Sequence, residues 1–256
     1  MSDVYLCTDP EQRSEGFEEA RLALARSGLV VMPTDTVYGV AADAFDPTGV
    51  RRLLRAKGRG RNMPPPVLVG SMDSLRALAT GLSGETRTLA NVFWPGGLTL
   101  ICRQQPSLQW DLGDSRGTVA LRMPDHDDAV ELLEANGPLA VSSANTTGRP
   151  PAVTVEDARE MLADSVEVYL DAGPTPGPTP STIVDATGDV LTVVRAGVVT
   201  TEALREVVPD IEILDVGPSA VPDTDDDLDD DPDDDAELAD GGEPEETDPV
   251  EPPEQG

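Results

Sequence analysis

Positive side chains are concentrated in one stretch, RLLRAKGRGRNMPPPVL at residues 52–68. Lys57 is the only lysine of the chain; the other 17 of the 18 basic residues are arginine. Lys57, Arg59 and Arg61 alternate across a glycine-rich turn, which predicts that their side chains converge on one anion. Arginine binds phosphate or carboxylate through a planar fork, whereas lysine offers a compact, mobile charge. Because residues 47–72 include no acidic residue, the stretch indicates an anion-binding site.

Two polar turns each follow a predicted buried strand, at the carboxyl end where open α/β sheets bind their ligands. They carry Thr34, Asp35 and Thr36 in PTDT (33–36), and Ser142, Ser143, Asn145 and Thr146 in SSANTTG (142–148). Turns of this composition also satisfy their own backbone groups, so the pattern leaves a purely structural interpretation open.

Single polar residues stand on other predicted strands. Arg122 lies on the apolar strand VALRM and needs either a carboxylate or a ligand as partner. Ser181 begins a strand and Arg195 ends one. The chain has no P-loop and no G-x-S-x-G motif, and His126 is its single histidine, which argues against Ser-His-Asp hydrolysis. Such a site would act by positioning and charge neutralisation.

Charge divides the chain into two parts. Residues 210–256 hold 21 Asp and Glu and no Lys or Arg, whereas residues 1–209 hold 28 acidic and 18 basic residues. The acidic tail has few large apolar residues, so we expect it to be disordered and residues 1–209 to form one domain. Two cysteines do not suggest a disulfide framework. Without a signal-peptide pattern or a membrane-length apolar run, a cytoplasmic protein is expected.

Helical and strand patterns alternate, which predicts an α/β domain with a twisted sheet of mixed parallel and antiparallel strands flanked by helices. Capping signals are Asp46, Pro47 and Gly58 around one helix, Ser71 before the next, and Thr154 with Asp157 before a later one. Together with apolar periodicity they predict helices over 14–27, 47–57, 72–80, 125–135, 155 onward and 201–208. Strands are predicted at 29–32, 66–70, 98–103, 119–123, 138–143, 166–171, 181–186 and 190–195.

Seven motifs occur in an order that resembles the YrdC-like threonylcarbamoyl-AMP synthases. They are PTDTVYGVAADAF, K-G-R, WPGGLTL, VALRMP, SSAN, STIVD and VVRAG, and together they span about 15–200. The resemblance implies an α/β sheet around a positively charged cleft. It also implies synthesis of threonylcarbamoyl-adenylate and pyrophosphate from L-threonine, bicarbonate and ATP with Mg²⁺, with no tightly bound organic cofactor. Partner transferase proteins would pass the threonylcarbamoyl group to tRNA, and the chain itself would contact tRNA at most weakly. No membrane is expected to be involved.

The resemblance also assigns roles to residues. Lys57 and Arg59 would lie on the ATP phosphates and stabilise the developing charge. The remaining ATP-side residues would be Asn62, Thr118, Ser143, Asn145 and Arg195. The threonine-side residues would be Thr34, Thr36, Arg122 and Ser181. No residue is assigned to a metal.

The sequence departs from the family after K-x-R. There the family often continues with Asn-Pro-Leu and a histidine near the threonine, whereas this chain has NMPPPVLVG, with Asn62 as a shifted asparagine and Gly70 in the histidine's place. An RNA-binding module of the same fold without synthase activity is the alternative, although aromatic residues make up only 3%. A carbamoyl-adenylate relative from hydrogenase maturation would carry fused acylphosphatase and zinc-finger modules, which these residues lack.

Overall fold

The computed structural model describes residues 3–214. Its helices are α1 Pro10–Leu24, α2 Pro47–Lys57, α3 Met72–Leu78, α4 Gly84–Phe93, α5 Asp127–Asn136, α6 Val155–Leu162 and α7 Thr201–Val207, with a 3-10 turn at Ala163–Ser165. Its strands are β1 Asp3–Leu6, β2 Val30–Met32, β3 Gly39–Asp43, β4 Val67–Leu68, β5 Ala79–Thr80, β6 Leu98–Gln104, β7 Thr118–Arg122, β8 Leu139–Ser143, β9 Val168–Asp171, β10 Thr182–Asp185, β11 Thr192–Arg195 and β12 Glu212–Ile213.

All the described strands belong to one mixed sheet. Its order is β1-β9-β2-β3-β8-β4-β7-β6-β10-β11-β12, and β5 pairs with β6 off this path. The β4–β7 and β6–β10 pairs are parallel, whereas β3–β8 and β6–β7 are antiparallel. The predicted α/β class with a mixed sheet flanked by helices is therefore confirmed.

Several elements differ from the sequence prediction. Helix α1 begins at Pro10 rather than residue 14, because Asp9 accepts hydrogen bonds from the first free backbone amides. The sequence analysis missed β1, β3, β5 and α4. Strand β12 pairs with β11 beyond the predicted boundary at residue 209, and Ile211 is buried. From residue 215 onward, the predicted acidic tail lies outside the described residues.

Helices cover one face of the sheet along its length and the other face only in part. Strand register places a set of side chains on one side of β7, β6, β10 and β11, opposite the core that packs against α3, α4 and α7. We call this side the open face. It consists of Thr99, Ile101, Thr118, Ala120, Arg122, Ser181, Ile183 and Arg195. Towards β8 and β3, helices α1 and α5 cover the same side.

Helix α2 is set by signals that the sequence displays. Asp46 is its N-cap and accepts from the amide of Thr48 at 2.9 Å, and Pro47 occupies the first turn. Gly58 ends the helix with φ 64°, a left-handed conformation that glycine adopts without strain. The next amide, of Arg59, donates to Leu54 at 2.9 Å. The chain therefore turns sharply between Lys57 and Arg59.

We predict that Asp46→Ala lowers the free energy of unfolding by about 1 kcal/mol, because a helix N-cap is lost. Asp46→Asn retains the acceptor and should lose less. Ser71→Ala is the control: Ser71 precedes α3 but makes no capping hydrogen bond with its side chain, contrary to the sequence prediction. Urea unfolding compares the three variants. Equal losses in all three would contradict this assignment.

Candidate active site

A cavity of about 110 Å³ lies where the open face meets the polar turns after β2 and β8. Pockets that enclose drug-sized ligands are usually about 300–1,000 Å³. This cavity can therefore enclose a small molecule, and a larger one must extend beyond it. Seven of the predicted site residues line it: Thr34, Thr36, Arg59, Arg122, Ser143, Ser181 and Arg195.

Arg122, at the end of β7, is 6% exposed and is held by three acceptors. Its Nε donates to the carbonyl of Gly96 and its Nη1 to Thr36 Oγ1, both at 2.9 Å, while Nη2 pairs with Asp35 Oδ1 at 2.5 Å. A guanidinium has five N–H groups, so each terminal nitrogen keeps one donor that no described residue occupies. One N–H group on each terminal nitrogen therefore remains available to a carboxylate.

Arg195 and Ser181 form a second polar group on the open face. Arg195 Nη2 donates to the carbonyl of Ser181 at 2.7 Å and to its Oγ at 3.0 Å. Ser181 Oγ lies 2.8 Å from Thr99 Oγ1, and Thr99 also lines the cavity. Among the described residues, no carboxylate forms an ion pair with Arg195.

Arg59 enters the cavity from the turn after α2. Its Nη1 donates to Ser142 Oγ at 3.2 Å. Its Nε is buried and has no hydrogen-bond partner among residues 3–214. A buried donor without a partner carries a desolvation cost that an incoming acceptor would remove.

Lys57 lies beneath the cavity wall and is 0% exposed. Its Nζ donates to the carbonyl of Ser143 at 2.5 Å, to the carbonyl of Asn145 and to Asn145 Oδ1 at 3.1 Å. Its own carbonyl accepts from the amide and the hydroxyl of Thr147, at 3.0 and 2.7 Å. Lys57 thus binds the turn after β8 through both its side chain and its backbone.

Positive charge exceeds negative charge around the cavity. Burial, with Arg59 nearby, lowers the pKa of Lys57 to about 7. Burial, with Arg122 and Arg59 nearby, lowers the pKa of Arg195 to about 10. Burial also lowers the pKa of Arg59, and that of Arg122 despite the opposing effect of Asp35. An anion in the cavity would favour the charged form of all four groups and so raise their pKa values.

Comparison with known proteins identifies the family of this chain. The Sua5/YciO/YrdC model, described as Telomere recombination, matches residues 22–197. A putative threonylcarbamoyl-AMP synthase of Mycobacterium tuberculosis is 55% identical over 207 residues, which cover 81% of this chain and 95% of the relative. The chain belongs to the Sua5/YciO/YrdC family.

The chain is also similar to a curated protein and to a solved structure from Pyrococcus abyssi. Its threonylcarbamoyl-AMP synthase is 34% identical over 205 residues, covering 78% of this chain and 60% of the relative. The crystal structure of P. abyssi Sua5 complexed with L-threonine matches with a TM-score of 0.77 and 31% identity. That match covers 84% of this chain and 62% of the P. abyssi chain, so this chain spans less than two thirds of that protein's length.

Four predicted residues of this family member do not line the cavity. Lys57 and Asn145 lie behind its wall, and Asn62 is exposed. Thr118 lies on the open face at the start of β7, whereas Arg122 is at the end of that strand. Its hydroxyl donates to the carbonyl of Ser115 at 2.8 Å.

Two expectations are wrong. Arg61 does not converge with Lys57 and Arg59, because it is exposed and pairs with Asp111 at 2.8 Å. Gly70 does not face the cavity. A Cβ at Gly70 would lie 3.1 Å from Glu134 on α5, and Leu68 lines the cavity instead.

The sequence analysis missed other residues that line the cavity. Leu68, Thr99 and Val141 lie on separate strands. Thr99 belongs to the WPGGLTL motif, but the sequence analysis assigned none of the three a role in the site. Strand register alone brings Thr99, on β6, next to Ser181 before β10. Asp35 stood in a recognised turn, but its pairing with Arg122 joins positions that the sequence does not relate.

The Lys57 ammonium should make stability depend on pH. The pKa of Lys57 is about 7 in the folded chain, below its ordinary value of 10.5, so above pH 7 the folded state binds fewer protons than the unfolded state. Stability from this group therefore rises with pH between these two values. We expect the free energy of unfolding of the wild type to rise by about 1 kcal/mol more than that of Lys57→Met between pH 7 and 8. Urea titrations at each pH measure both; identical slopes would contradict the prediction.

Proposed function

We propose that this chain is an L-threonylcarbamoyladenylate synthase, which forms threonylcarbamoyl-AMP and pyrophosphate from L-threonine, bicarbonate and ATP. The observation that carries the proposal is the set of four buried or half-buried cations, balanced by one carboxylate, around a cavity of amino-acid size. The relatives support it, because a P. abyssi relative is named for this activity and P. abyssi Sua5 is known with L-threonine bound.

The amino acid would bind at Arg122. Its carboxylate fits the two free donors of the guanidinium, and a planar fork suits a carboxylate better than a point charge does. Thr36 Oγ1 lies 3.0 Å from Thr34 Oγ1 and 2.9 Å from Arg122 Nη1, so these hydroxyls are already oriented. Ser181 would complete this part of the site.

The nucleotide would extend from the cavity along the open face. Arg59 and Arg195 present cationic groups to the cavity, and Ser143 lines it beside Arg59. Lys57 would add positive charge from beneath the wall and hold Ser143 and Asn145 in place. Thr118, further along the open face, and Asn62, on the adjoining turn, would bind the parts of ATP outside the cavity.

The chemistry needs little covalent participation by the protein. Bicarbonate loses hydroxide to give carbon dioxide, and the amine of threonine attacks its carbon. The amine proton and the hydroxide leave as water, which gives a carbamate. A carbamate oxygen then attacks the α-phosphorus, and the bond to the bridging oxygen of pyrophosphate breaks. Negative charge grows on the phosphate oxygens in that step. Arg59 and Lys57 would stabilise it as preorganised cations.

Magnesium would arrive with the nucleotide. Within residues 3–214, no group of three or more His, Cys, Asp or Glu side chains could hold a metal ion. Mg²⁺ commonly binds through substrate phosphates and retained waters. The reactive product would pass to tRNA-modifying transferase proteins. No helix in the described range is long and apolar enough to cross a membrane.

The first prediction for this function concerns pyrophosphate release. With ATP and bicarbonate, release should require L-threonine and should fall at least about tenfold in Arg59→Ala, a loss of about 1.4 kcal/mol of transition-state stabilisation. Arg61→Ala is the matched control, because Arg61 lies two residues away but pairs on the surface. Its rate should be close to wild type.

Folded wild-type protein that releases no pyrophosphate in response to threonine would refute the proposal. In that case salt-sensitive RNA binding, unaffected by threonine, would support the alternative of an RNA-binding module. Equal loss in the Arg59 and Arg61 variants would instead remove Arg59 from the phosphate site.

The second prediction separates the two substrates. Arg122→Lys keeps the charge but loses the fork, so the KM for threonine should rise at least about tenfold while the KM for ATP changes little. Steady-state kinetics with each substrate varied in turn measure both constants. A parallel rise in both constants would show that Arg122 does not act on the amino acid alone.

A further inference from the structure

One wall of the cavity is apolar. It comprises Val37, Pro66, Leu68 and Val141. Strands β4 and β7 are parallel, and Leu68 stands in register with Arg122. Neighbouring strands lie about 4.8 Å apart, and residues in register point to the same side of a sheet. Leu68 is therefore the immediate neighbour of Arg122, the arginine with N–H groups available to a carboxylate.

Val141 continues this wall onto β8. Leu68 is in register with Leu139, so Val141 lies two residues further along β8 on the same side of the sheet. Space for Val141 depends on the next strand. A Cβ at Gly39 would lie 2.6 Å from Val141 Cγ1, which means that Gly39 leaves room for the valine side chain.

A second wall is polar. Thr34, Thr36, Thr99 and Ser181 place hydroxyl groups along it, and their hydrogen bonds to one another fix their positions. A ligand that is held by its carboxylate at Arg122 thus meets hydroxyl groups on one wall and aliphatic carbon on another. The β-carbon of threonine carries one hydroxyl and one methyl group, which matches such a pair of walls.

We propose that Leu68, supported by Val141, contacts the side-chain methyl group of the bound amino acid and makes the site select threonine over serine. This inference rests on the proposed function and adds the residues that set its amino-acid specificity. Serine would keep the carboxylate and hydroxyl contacts but would leave the surface of Leu68 uncovered. One methyl group in an apolar pocket changes kcat/KM by about 10- to 200-fold.

The test compares Leu68→Ala and Leu68→Val with Leu139→Ala. Leu139 is the matched control, because it is in register with Leu68 and belongs to the same apolar cluster but does not line the cavity. The measured quantity is the ratio of kcat/KM for L-threonine to that for L-serine, from pyrophosphate release. Dissociation constants of both amino acids by calorimetry give the ratio of binding affinities, which does not depend on turnover.

In the wild type we expect this ratio to be at least about tenfold. It should fall at least about fivefold in Leu68→Ala and by less in Leu68→Val, whereas Leu139→Ala should change both substrates equally. The milder valine variant keeps the test available if the alanine variant does not fold. An unchanged ratio in a folded Leu68 variant would overturn the inference alone. Absence of threonine-dependent turnover and binding in the wild type would overturn the proposed function with it.

Discussion

The site depends on one buried ammonium group. Lys57 Nζ, fully removed from solvent, is satisfied by oxygens of Ser143 and Asn145. Burying a cation without a carboxylate costs free energy, which the hydrogen bonds offset only in part, as its lowered pKa shows. The buried ammonium lies where the end of α2 contacts the turn after β8. Ser143, which lines the cavity at the end of β8, is thereby tied to the end of α2.

The same imbalance of charge explains why the site is ready for anions. Asp35 is the only carboxylate that pairs with the four cations within residues 3–214. Neutral oxygens hold Lys57, Arg59 and Arg195, and Arg122 is held by neutral oxygens and by Asp35. These side chains are therefore oriented before a ligand arrives. Preorganised charges of this kind need no reorganisation during a reaction, which is why they are effective in catalysis. Local strain or unpaired charge of this sort is common where function and stability compete.

Much of this arrangement could be predicted from the sequence where the signal was local. Asp46, Pro47 and Gly58 gave the bounds of α2, and Thr154 with Asp157 gave the capping box of α6. The mixed α/β class followed from alternating patterns. The two polar turns were found because small hydroxyl residues follow buried strands.

Features that depend on strand register could not be found in this way. Strand β3 is mostly alanine, glycine and valine, without alternation, since both of its faces are buried. Leu68 and Val141 are ordinary core residues by type, and only register places them beside Arg122. Arg61 was grouped with Lys57 and Arg59 by spacing, but the left-handed turn at Gly58 and the pairing with Asp111 separate them.

The double attachment of Lys57 also has a mechanical consequence. Its side chain binds residues 143 and 145, and its carbonyl binds Thr147, so the last turn of α2 and the turn after β8 cannot move apart without breaking several hydrogen bonds at once. Helix α2 is therefore firmly attached to the cavity wall. Its solvent-facing side carries Arg51 and Arg55. A displacement of the wall must therefore reach the protein surface as a shift of these two charges.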